Sequence, residues 1–307
     1  MIEVKQLVKN YNDVKAVKKI DFTINHGEVV GFLGANGAGK STTLKILTGY
    51  LTPTSGKVLI DGLDIEKDPH EIKKIIGYLP ESNPLYYEMY VYDLLKFTAN
   101  TRNIFGDDFK KSFKKVVAQC GLQDVVHKTV GECSKGFKQR VGLACAMIHN
   151  PKILILDEPV TGLDPNQIVE IRKLIKNLGK EKLVLMSSHI LQEIEATVDR
   201  IIIIDHGEIV ADGTTKKLMN QFMGKVKLTL EVIDMTDSKV EKFKEKFKGC
   251  KIRKMKEHHK ISLEYNKKKD PRLDIFNFVI KNKLSLTEMS TKTANLEDIF
   301  RKLTHEK

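Results

Sequence analysis

The sequence predicts an α/β fold, with a mixed sheet, an antiparallel β layer and an inserted helical subdomain, followed by a small α+β domain. Two observations predict it: short apolar runs alternate with helical patterns over the first 215 residues, and both periodicity and charge change beyond residue 220. The 307 residues, 41% apolar and 30% charged, have ordinary globular composition. This composition excludes disordered and fibrous proteins, and the length suggests two domains.

The first domain is assigned to residues 1–215. Four runs are apolar throughout or rich in β-branched residues, as expected of parallel strands buried on both faces: residues 28–33, 153–157, 183–187 and 201–204. Looser alternation in residues 17–24 and 58–60 predicts an antiparallel layer with one wet face. Residues 83–150 follow a helical pattern and form the predicted subdomain.

A second, basic domain is assigned to residues 220–307. Its strands and helices are predicted in the order βαββαβ, which suggests a ferredoxin-like fold. The predicted elements are a strand at 226–232, a helix with Ser238 as N-cap that closes at Gly249, strands at 251–256 and 261–265, a helix at 271–281 and a strand at 284–289. A last helix is predicted from Asn295, with an apolar stripe of Leu296, Ile299, Phe300 and Leu303.

The charge of +12 lies almost wholly in this tail. Residues 1–215 carry 28 Lys and Arg against 27 Asp and Glu, whereas residues 216–307 carry 24 against 13. Only three of the 24 cations are arginines, which disfavours bidentate phosphate recognition. A solvated surface, an anionic membrane face and nucleic acid all remain open as interpretations of the tail.

A glycine-rich segment directly follows the first apolar strand and opens a helix. Residues 34–41 match GxxxxGK[ST], and Thr42 continues the helix. The predicted phosphate-binding residues are Gly34, Ala35, Asn36, Gly37, Ala38, Gly39, Lys40, Ser41 and Thr42. Backbone N–H groups face the phosphates, Lys40 reaches the β and γ phosphates, and Ser41 can ligate Mg²⁺. The sequence therefore predicts a P-loop NTPase that binds ATP and Mg²⁺.

Two acids end another apolar strand, at 153–156. Asp157 is positioned to hold Mg²⁺ through its water shell. Glu158 could accept a proton from the water that attacks the γ-phosphate, or orient that water. The pair alone leaves other ATPases with this strand arrangement open.

Residues 133–140 resemble the signature motif LSGGQ-x-x-R of ATP-binding cassette (ABC) ATPases. Ser134 and Gly136 match the motif, Lys135 replaces its second-position glycine, and Phe137 replaces its glutamine. These two substitutions resemble those in signature motifs of the family's drug-exporter branch, so they bear on the subfamily rather than on the family. Ser134 and the following N–H groups at a helix start form a second anion site, so one chain carries half of two phosphate sites and needs a partner.

Other segments resemble further motifs of the family, in the expected order. Asp164 lies in a D-loop-like segment, and His189 resembles the switch histidine that holds the γ-phosphate and water. Tyr11 resembles the aromatic residue that stacks on adenine. Glu81 occupies the Q-loop, where glutamine is commoner, and its carboxylate could approach Mg²⁺ or its water.

The resemblance covers residues 1–215, and residues 295–300 resemble the tail of the multidrug-export and gliding-motility subfamily, whose members carry a C-terminal accessory domain. It implies the ATP-hydrolysing subunit of an exporter, with Glu158 as base and ATP as the link between two head-to-tail subunits of an expected homodimer. The apolar runs are too short to span a bilayer. We therefore expect a cytoplasmic protein, peripheral on the inner face of the cell membrane, that works on a separately encoded transmembrane permease. The loop from Glu81 to Tyr92 and the helical subdomain are the predicted docking groove.

Two alternatives remain at this point. A soluble ABC ATPase acting on nucleic acid or ribosomes would explain the basic tail, but such proteins usually fuse two cassettes, so nucleic acid is not the expected partner. A purely regulatory module, in which ATP only controls dimerisation, would keep its function after Glu158→Gln.

Overall fold

The computed structural model describes residues 1–222, 226–265 and 269–292, together with residues 297, 300, 303 and 304. The chain divides into two compact units, Met1–Thr215 and a second that begins at Lys216. Within the part of the chain that is described, no helix combines the length and the apolar character needed to cross a bilayer.

The first unit contains ten strands and seven helices among its described residues. In chain order they are β1 (Ile2–Tyr11), β2 (Val14–Ile24), β3 (Val29–Leu33), α1 (Lys40–Leu47), β4 (Ser55–Ile60), β5 (Leu63–Asp64), α2 (Pro69–Ile75), β6 (Ile76–Leu79), α3 (Val91–Asn100), α4 (Gly106–Cys120), α5 (Lys135–Met147), β7 (Ile153–Leu156), α6 (Pro165–Gly179), β8 (Leu183–Ser188), α7 (Leu191–Glu195), β9 (Arg200–Asp205) and β10 (Glu208–Gly213).

A six-stranded sheet forms the centre of this unit, in the order β10-β9-β3-β8-β7-β6. All pairs are parallel except the antiparallel edge pair of β9 and β10. Strands β3, β7 and β8 are buried at every residue, which explains why they contain few polar side chains. Because β3, β8 and β7 are parallel neighbours, the segments that follow them meet at one edge of the sheet.

An antiparallel sheet, in the order β2-β1-β4-β5, forms a second layer. Its inward side chains pack with β3 and α1 in one core that includes Val4, Phe22, Phe32 and Leu44. The alternation that predicted this layer is the burial pattern of half-exposed strands. The prediction of an α/β fold with a mixed sheet and an antiparallel layer is confirmed.

Helices α3, α4 and α5 form the inserted subdomain. They share a core in which Leu95, Phe109, Val116 and Leu143 are buried. Helix α5 also contacts β6, so its N-terminal residues are held near the carboxyl edge of the central sheet.

Helix α8 (Thr215–Phe222) begins at the last residue of the first unit, and all its other residues belong to the second. The second unit continues with β11 (Val226–Ile233), α9 (Asp237–Lys246), β12 (Lys251–Lys254), β13 (His259–Tyr265), α10 (Arg272–Lys281) and β14 (Ser285–Lys292). Its four strands form an antiparallel sheet in the order β12-β13-β11-β14. This is the order of a split βαβ, ferredoxin-like sheet, as the sequence predicts. Leu228 and Leu230 pack beneath Phe243 and Phe278 of the two helices.

Several boundaries in this unit differ from the predictions, and among them β13 begins at His259 rather than 261 and β14 ends at Lys292 rather than 289. The N-cap of α9 is Thr236 rather than Ser238, because the carbonyl of Thr236 already accepts the N–H groups of Lys239 and Val240, both at 2.9 Å. The same helix ends at Lys246, three residues before Gly249. Strand β12 ends at Lys254 rather than 256, where the N–H of Met255 turns to the carbonyl of His258. The helix predicted from Asn295 lies largely outside the described residues.

Candidate functional site

The glycine-rich loop joins β3 to α1 at the carboxyl edge of the central sheet. Gly39 is the N-cap of α1 and has a φ of 108°, a backbone region that side chains disfavour. A Cβ at Gly39 would lie 2.6 Å from the carbonyl oxygen of Ala16 in β2, and one at Gly34 would collide with the carbonyl of Ile204. The close approach of neighbouring strands therefore requires glycine at both positions, and the loop wraps tightly around the helix N-terminus.

The side chain of Lys40 points into the loop. It is 6% exposed, and its Nζ donates to the carbonyl oxygens of Gly34 at 2.9 Å and Ala35 at 3.2 Å. The same Nζ lies 3.5 Å from Oε1 of Glu158, which is 5% exposed. A buried ammonium is thus held where the first helical N–H groups converge, and both features favour an anion.

A buried carboxylate links β7, β8 and the helix α1 at this edge. Asp157, 1% exposed, follows β7, and its Oδ1 accepts from Ser187 Oγ at 2.6 Å and from Ser41 Oγ at 3.2 Å. Ser187 also accepts the backbone N–H of Glu158 at 2.8 Å. The hydroxyl of Ser187 therefore fixes both acids relative to β8. In the segment from Ser187 to His189 the sequence predicts a role for the histidine and none for Ser187.

Glu158 is the centre of a second network. Its Oε2 accepts from Thr161 Oγ1 at 3.0 Å and lies 2.9 Å from Nδ1 of His189. Glu158 has a φ of 50°, so its backbone is in the left-handed region, which is unusual for a residue with a side chain. Thr161 and His189 thus both contact Oε2, whereas the other carboxylate oxygen, Oε1, faces Lys40.

A cleft of about 510 Å³ opens beside these acids. It is lined by residues from the loop helix, the segment after β6, α5 and the acid segment: Ser41, Lys45, Tyr78, Pro80, Glu81, Ser82, Asn83, Leu85, Tyr87, Lys135, Lys138, Gln139, Asp157, Glu158 and Thr161. Glu81 therefore shares a cleft with Ser41 and Asp157. Burial, together with the negative charges of Asp157 and Glu81, raises the pKa of Tyr78. The side chain of Tyr78 therefore lines the cleft as a neutral phenol.

The start of α5 lies across the cleft. Ser134 is its N-cap, and its Oγ accepts the N–H of Phe137 at 3.4 Å. The Nζ of Lys135 lies directly over Gly162, and the side chain of Gln167 lies against Gly136. The segment that carries Lys135 and Gly136 and the segment around Gly162 are thus packed together in one chain, a long-range contact that sequence reasoning does not supply.

Three predicted residues do not contact this cluster within the described chain. Asp164 forms a capping box at the start of α6, accepting the N–H of Gln167 at 2.9 Å. Ser134 is engaged with its own helix, and Tyr11, 43% exposed, ends β1 with Lys9 over its ring. By contrast, Asn83, which the motifs do not single out, donates to the carbonyl of Lys138 at 3.0 Å and ties the segment after β6 to α5.

Comparison with known proteins agrees with this geometry. A family model described as ABC transporter matches residues 17–161. The ABC transporter ATP-binding protein YxlF of Bacillus subtilis is 34% identical over 318 residues, which cover 99% of this chain and 100% of YxlF. The chain belongs to the ABC transporter ATP-binding proteins. The bacitracin transport ATP-binding protein BcrA of Bacillus licheniformis is 40% identical to this ATPase, covering 69% of each chain.

Solved structures of ATP-binding cassettes resemble the first unit. The dimeric, post-hydrolysis structure of the ATP-binding cassette MJ0796, bound to ADP and Pi, is 26% identical with a TM-score of 0.64, covering 70% of this chain and 98% of that one. The chain is thus an ABC ATPase that binds and hydrolyses ATP as the ATP-driven subunit of a transporter. The expected P-loop fold and ATPase activity are both confirmed.

Proposed function

We propose that the cluster of Lys40, Ser41, Asp157, Glu158 and His189 is the hydrolytic half-site of an export ATPase. The observation that carries the proposal is the pair of buried networks, one around Asp157 and one around Glu158, that meet at the glycine-rich loop. Residues 1–215 are the proposed ATPase domain, and the basic unit after them is the proposed accessory domain.

ATP binds with its phosphates in the loop of residues 34–42. Lys40 exchanges its carbonyl partners for β and γ phosphate oxygens, which are stronger acceptors for an ammonium. Tyr11 stacks on the adenine ring from the end of β1. Its side chain is exposed and its ring already carries a cation contact from Lys9, both of which suit a stacking surface.

The residues present fit a magnesium ion. Ser41 Oγ and Asp157 Oδ1, 3.2 Å apart, are hard oxygen donors of the kind that Mg²⁺ takes beside phosphate, and Asp157 is almost fully buried. Ser41 would ligate the ion and Asp157 would hold it through water. When bound, Mg²⁺ neutralises charge that develops on the β and γ phosphates. Glu81 adds a carboxylate to the same cleft and is proposed to approach the ion or its water.

Hydrolysis uses Glu158 and His189. Because Oε2 of Glu158 is held by Thr161 and His189, Oε1 is the oxygen available to orient the attacking water and accept its proton. Its 3.5 Å approach to Lys40 Nζ supports this assignment, since Lys40 marks the phosphate position. His189, about one third exposed, is proposed to bind the γ-phosphate.

A second copy completes the site. Ser134, Lys135 and Gly136 at the start of α5 are proposed to close over the ATP held by a partner subunit, with Asp164 at the same interface. Ser134 and Lys135 are exposed, as an interface requires. The dimeric form of MJ0796 bound to ADP and Pi supports a homodimer, for which we propose a head-to-tail arrangement. ATP then links the two copies, and its hydrolysis removes the contacts that joined them.

The partner that receives this motion is proposed to be a transmembrane permease. A groove of about 320 Å³ beside α3 is lined by Leu85, Tyr86, Leu94 and Phe97, and Tyr86 is 59% exposed. An apolar, aromatic groove suits a partner's helix.

The transport function named for BcrA supports a peripheral position on the inner membrane face, and residues 295–300 are the basis for proposing the multidrug-export subfamily. Nucleic acid is the less favoured partner, because the described β11 residues on the sheet face away from the helices, Lys227, Thr229 and Glu231, are not aromatic and are of mixed charge.

The test is Glu158→Gln, assayed for turnover and for ATP-dependent dimerisation. The variant should bind MgATP, lose turnover by a factor of about 10² or more, and accumulate as a dimer, because the amide keeps the shape but cannot accept the proton. A variant that hydrolyses ATP at the native rate, or that transports at the native rate while hydrolysing none, would overturn the proposal. Glu181→Gln, at an exposed position just before β8 and therefore at the opposite edge of the sheet, is the matched control.

A further inference from the structure

Helix α10 of the second unit is apolar on both of its faces. The inner face carries Phe278 into the core of the unit. The outer face carries Leu273, Phe276 and Ile280, which are 71%, 49% and 59% exposed. Their spacing of three and four residues places them in one stripe along the helix. Three large apolar side chains on one exposed stripe form the kind of patch that often marks an interaction site, unlike apolar residues scattered singly.

The surroundings of this stripe are basic. The charged side chains in and beside α10 are four cations and two acids: Lys269, Arg272, Lys281 and Lys283, with Asp270 and Asp274. Asp270 is paired with Arg272 at 2.6 Å, so the lysines dominate the local field. The whole of residues 216–307 carries 24 cations against 13 acids. The stripe therefore fits an anionic partner.

The type of cation favours a lipid surface over a protein or nucleic acid. Lysine is depleted from protein interfaces, whereas at a bilayer its long stem lies along the apolar layer and its ammonium reaches the phosphates. A helix of ten residues is about 15 Å long, which suits a position in the plane of the interface and not across it.

We propose that α10 binds the surface of an anionic bilayer, with Leu273, Phe276 and Ile280 inserted at the boundary between headgroups and acyl chains. Lys281 and Lys283 then contact lipid phosphates. The second unit would anchor the ATPase on the membrane without the permease. The surface uses no residue of the ATP site, so this proposal stands or falls independently of the proposed function.

The chain contains no tryptophan, so a single introduced tryptophan reports its own environment. Phe276→Trp in the full chain should shift its emission to shorter wavelength on addition of vesicles of phosphatidylglycerol and phosphatidylcholine, and much less with phosphatidylcholine alone. Thr229→Trp is the control, because Thr229 lies between buried Leu228 and Leu230 and therefore on the sheet face away from the helices. Its emission should not change.

Binding is then measured by vesicle sedimentation of the otherwise native chain. Leu273→Ser and Ile280→Ser should each weaken partition about tenfold, since each loses one large apolar side chain from the interface. Val169→Ser, at an apolar position of α6 that is 46% exposed, is the matched control and should change nothing. Lys281→Glu with Lys283→Glu should abolish the preference for anionic vesicles, and high salt should mimic this change.

An unshifted Phe276→Trp spectrum with anionic vesicles would overturn the proposal, as would equal partition of the native and serine variants. If the stripe instead joins two copies of the chain, the native protein should form an oligomer without lipid, and the serine variants should dissociate it. This result would also overturn the membrane proposal. The serine variants should retain MgATP turnover, which shows that they are folded. The same assay distinguishes a loss of membrane binding from a failure of the proposed hydrolytic site.

Discussion

Replacing Ser187 by alanine should lower the stability of the fold and raise the Mg²⁺ concentration that turnover requires. The hydroxyl is fully buried, donates to Asp157 at 2.6 Å and accepts the N–H of Glu158 at 2.8 Å. Its loss removes a hydrogen bond to a carboxylate, worth about 1.5–3 kcal/mol, and leaves a buried N–H unpaired at a cost of about 1–3 kcal/mol. With partial relaxation we expect the free energy of unfolding to fall by roughly 2–4 kcal/mol.

The functional effect follows from the position of Asp157. Without Ser187 the carboxylate keeps only Ser41 as a side-chain partner in the described chain, so its oxygen is less firmly aimed. The Mg²⁺ concentration for half-maximal turnover should rise about tenfold or more, as for other residues that orient a metal-binding group. ATP affinity measured without Mg²⁺ should change little.

The assays are urea unfolding followed by circular dichroism, and turnover as a function of Mg²⁺ at saturating ATP. Ser187→Thr, which retains the hydroxyl, is the control and should preserve the Mg²⁺ dependence better than alanine. A Ser187→Ala protein with native stability and a native Mg²⁺ profile would refute the argument that this hydroxyl positions the two acids.

Three further predictions concern other groups. Thr161→Val should lower kcat about tenfold with little change in ATP affinity, because Glu158 loses one of the donors that hold Oε2, and Thr161→Ser should restore it; an unchanged kcat for the valine variant would contradict the network. Gly39→Ala should abolish MgATP binding in a calorimetric titration, since the φ of 108° and the neighbouring strand leave no room for a Cβ, and native affinity would refute that packing. Burial lowers the pKa of His149 from 6.5 to about 4, so its stabilising contribution is present above pH 6.5 and is lost as the pH falls toward 4. His149→Gln should therefore flatten the loss of stability between pH 7 and pH 5, and equal slopes for the two proteins would contradict this.

Sequence reasoning finds the parts of the site that lie in contiguous segments. The loop of residues 34–41 and the acids Asp157 and Glu158 are recognisable because each directly follows an apolar strand, and strands buried on both faces leave a clear pattern. The ferredoxin-like order of the second unit follows from alternation in the same way.

What the sequence does not supply is contact between distant segments. Ser187 resembles any other small residue within a strand, and its partnership with Asp157 depends on β8 lying beside β7. The approach of Lys135 to Gly162 is likewise a property of packing. The sequence predicts the cap of α9 two residues late because serine is the more favourable N-cap by type, whereas Thr236 caps the helix without a side-chain hydrogen bond.

The position of β8 between β3 and β7 has a geometric consequence. Neighbouring strands are about 4.8 Å apart, so the loop that follows β3 and the acids that follow β7 face each other across a slot about 10 Å wide. Backbone hydrogen bonds set that width, and the two buried serines at the end of β8, Ser187 and Ser188, lie between its walls. Side-chain substitution can change the walls and the floor of such a slot but not its span. The distance between the two walls is therefore set by the order of the strands, and it stays the same whichever side chains line the slot.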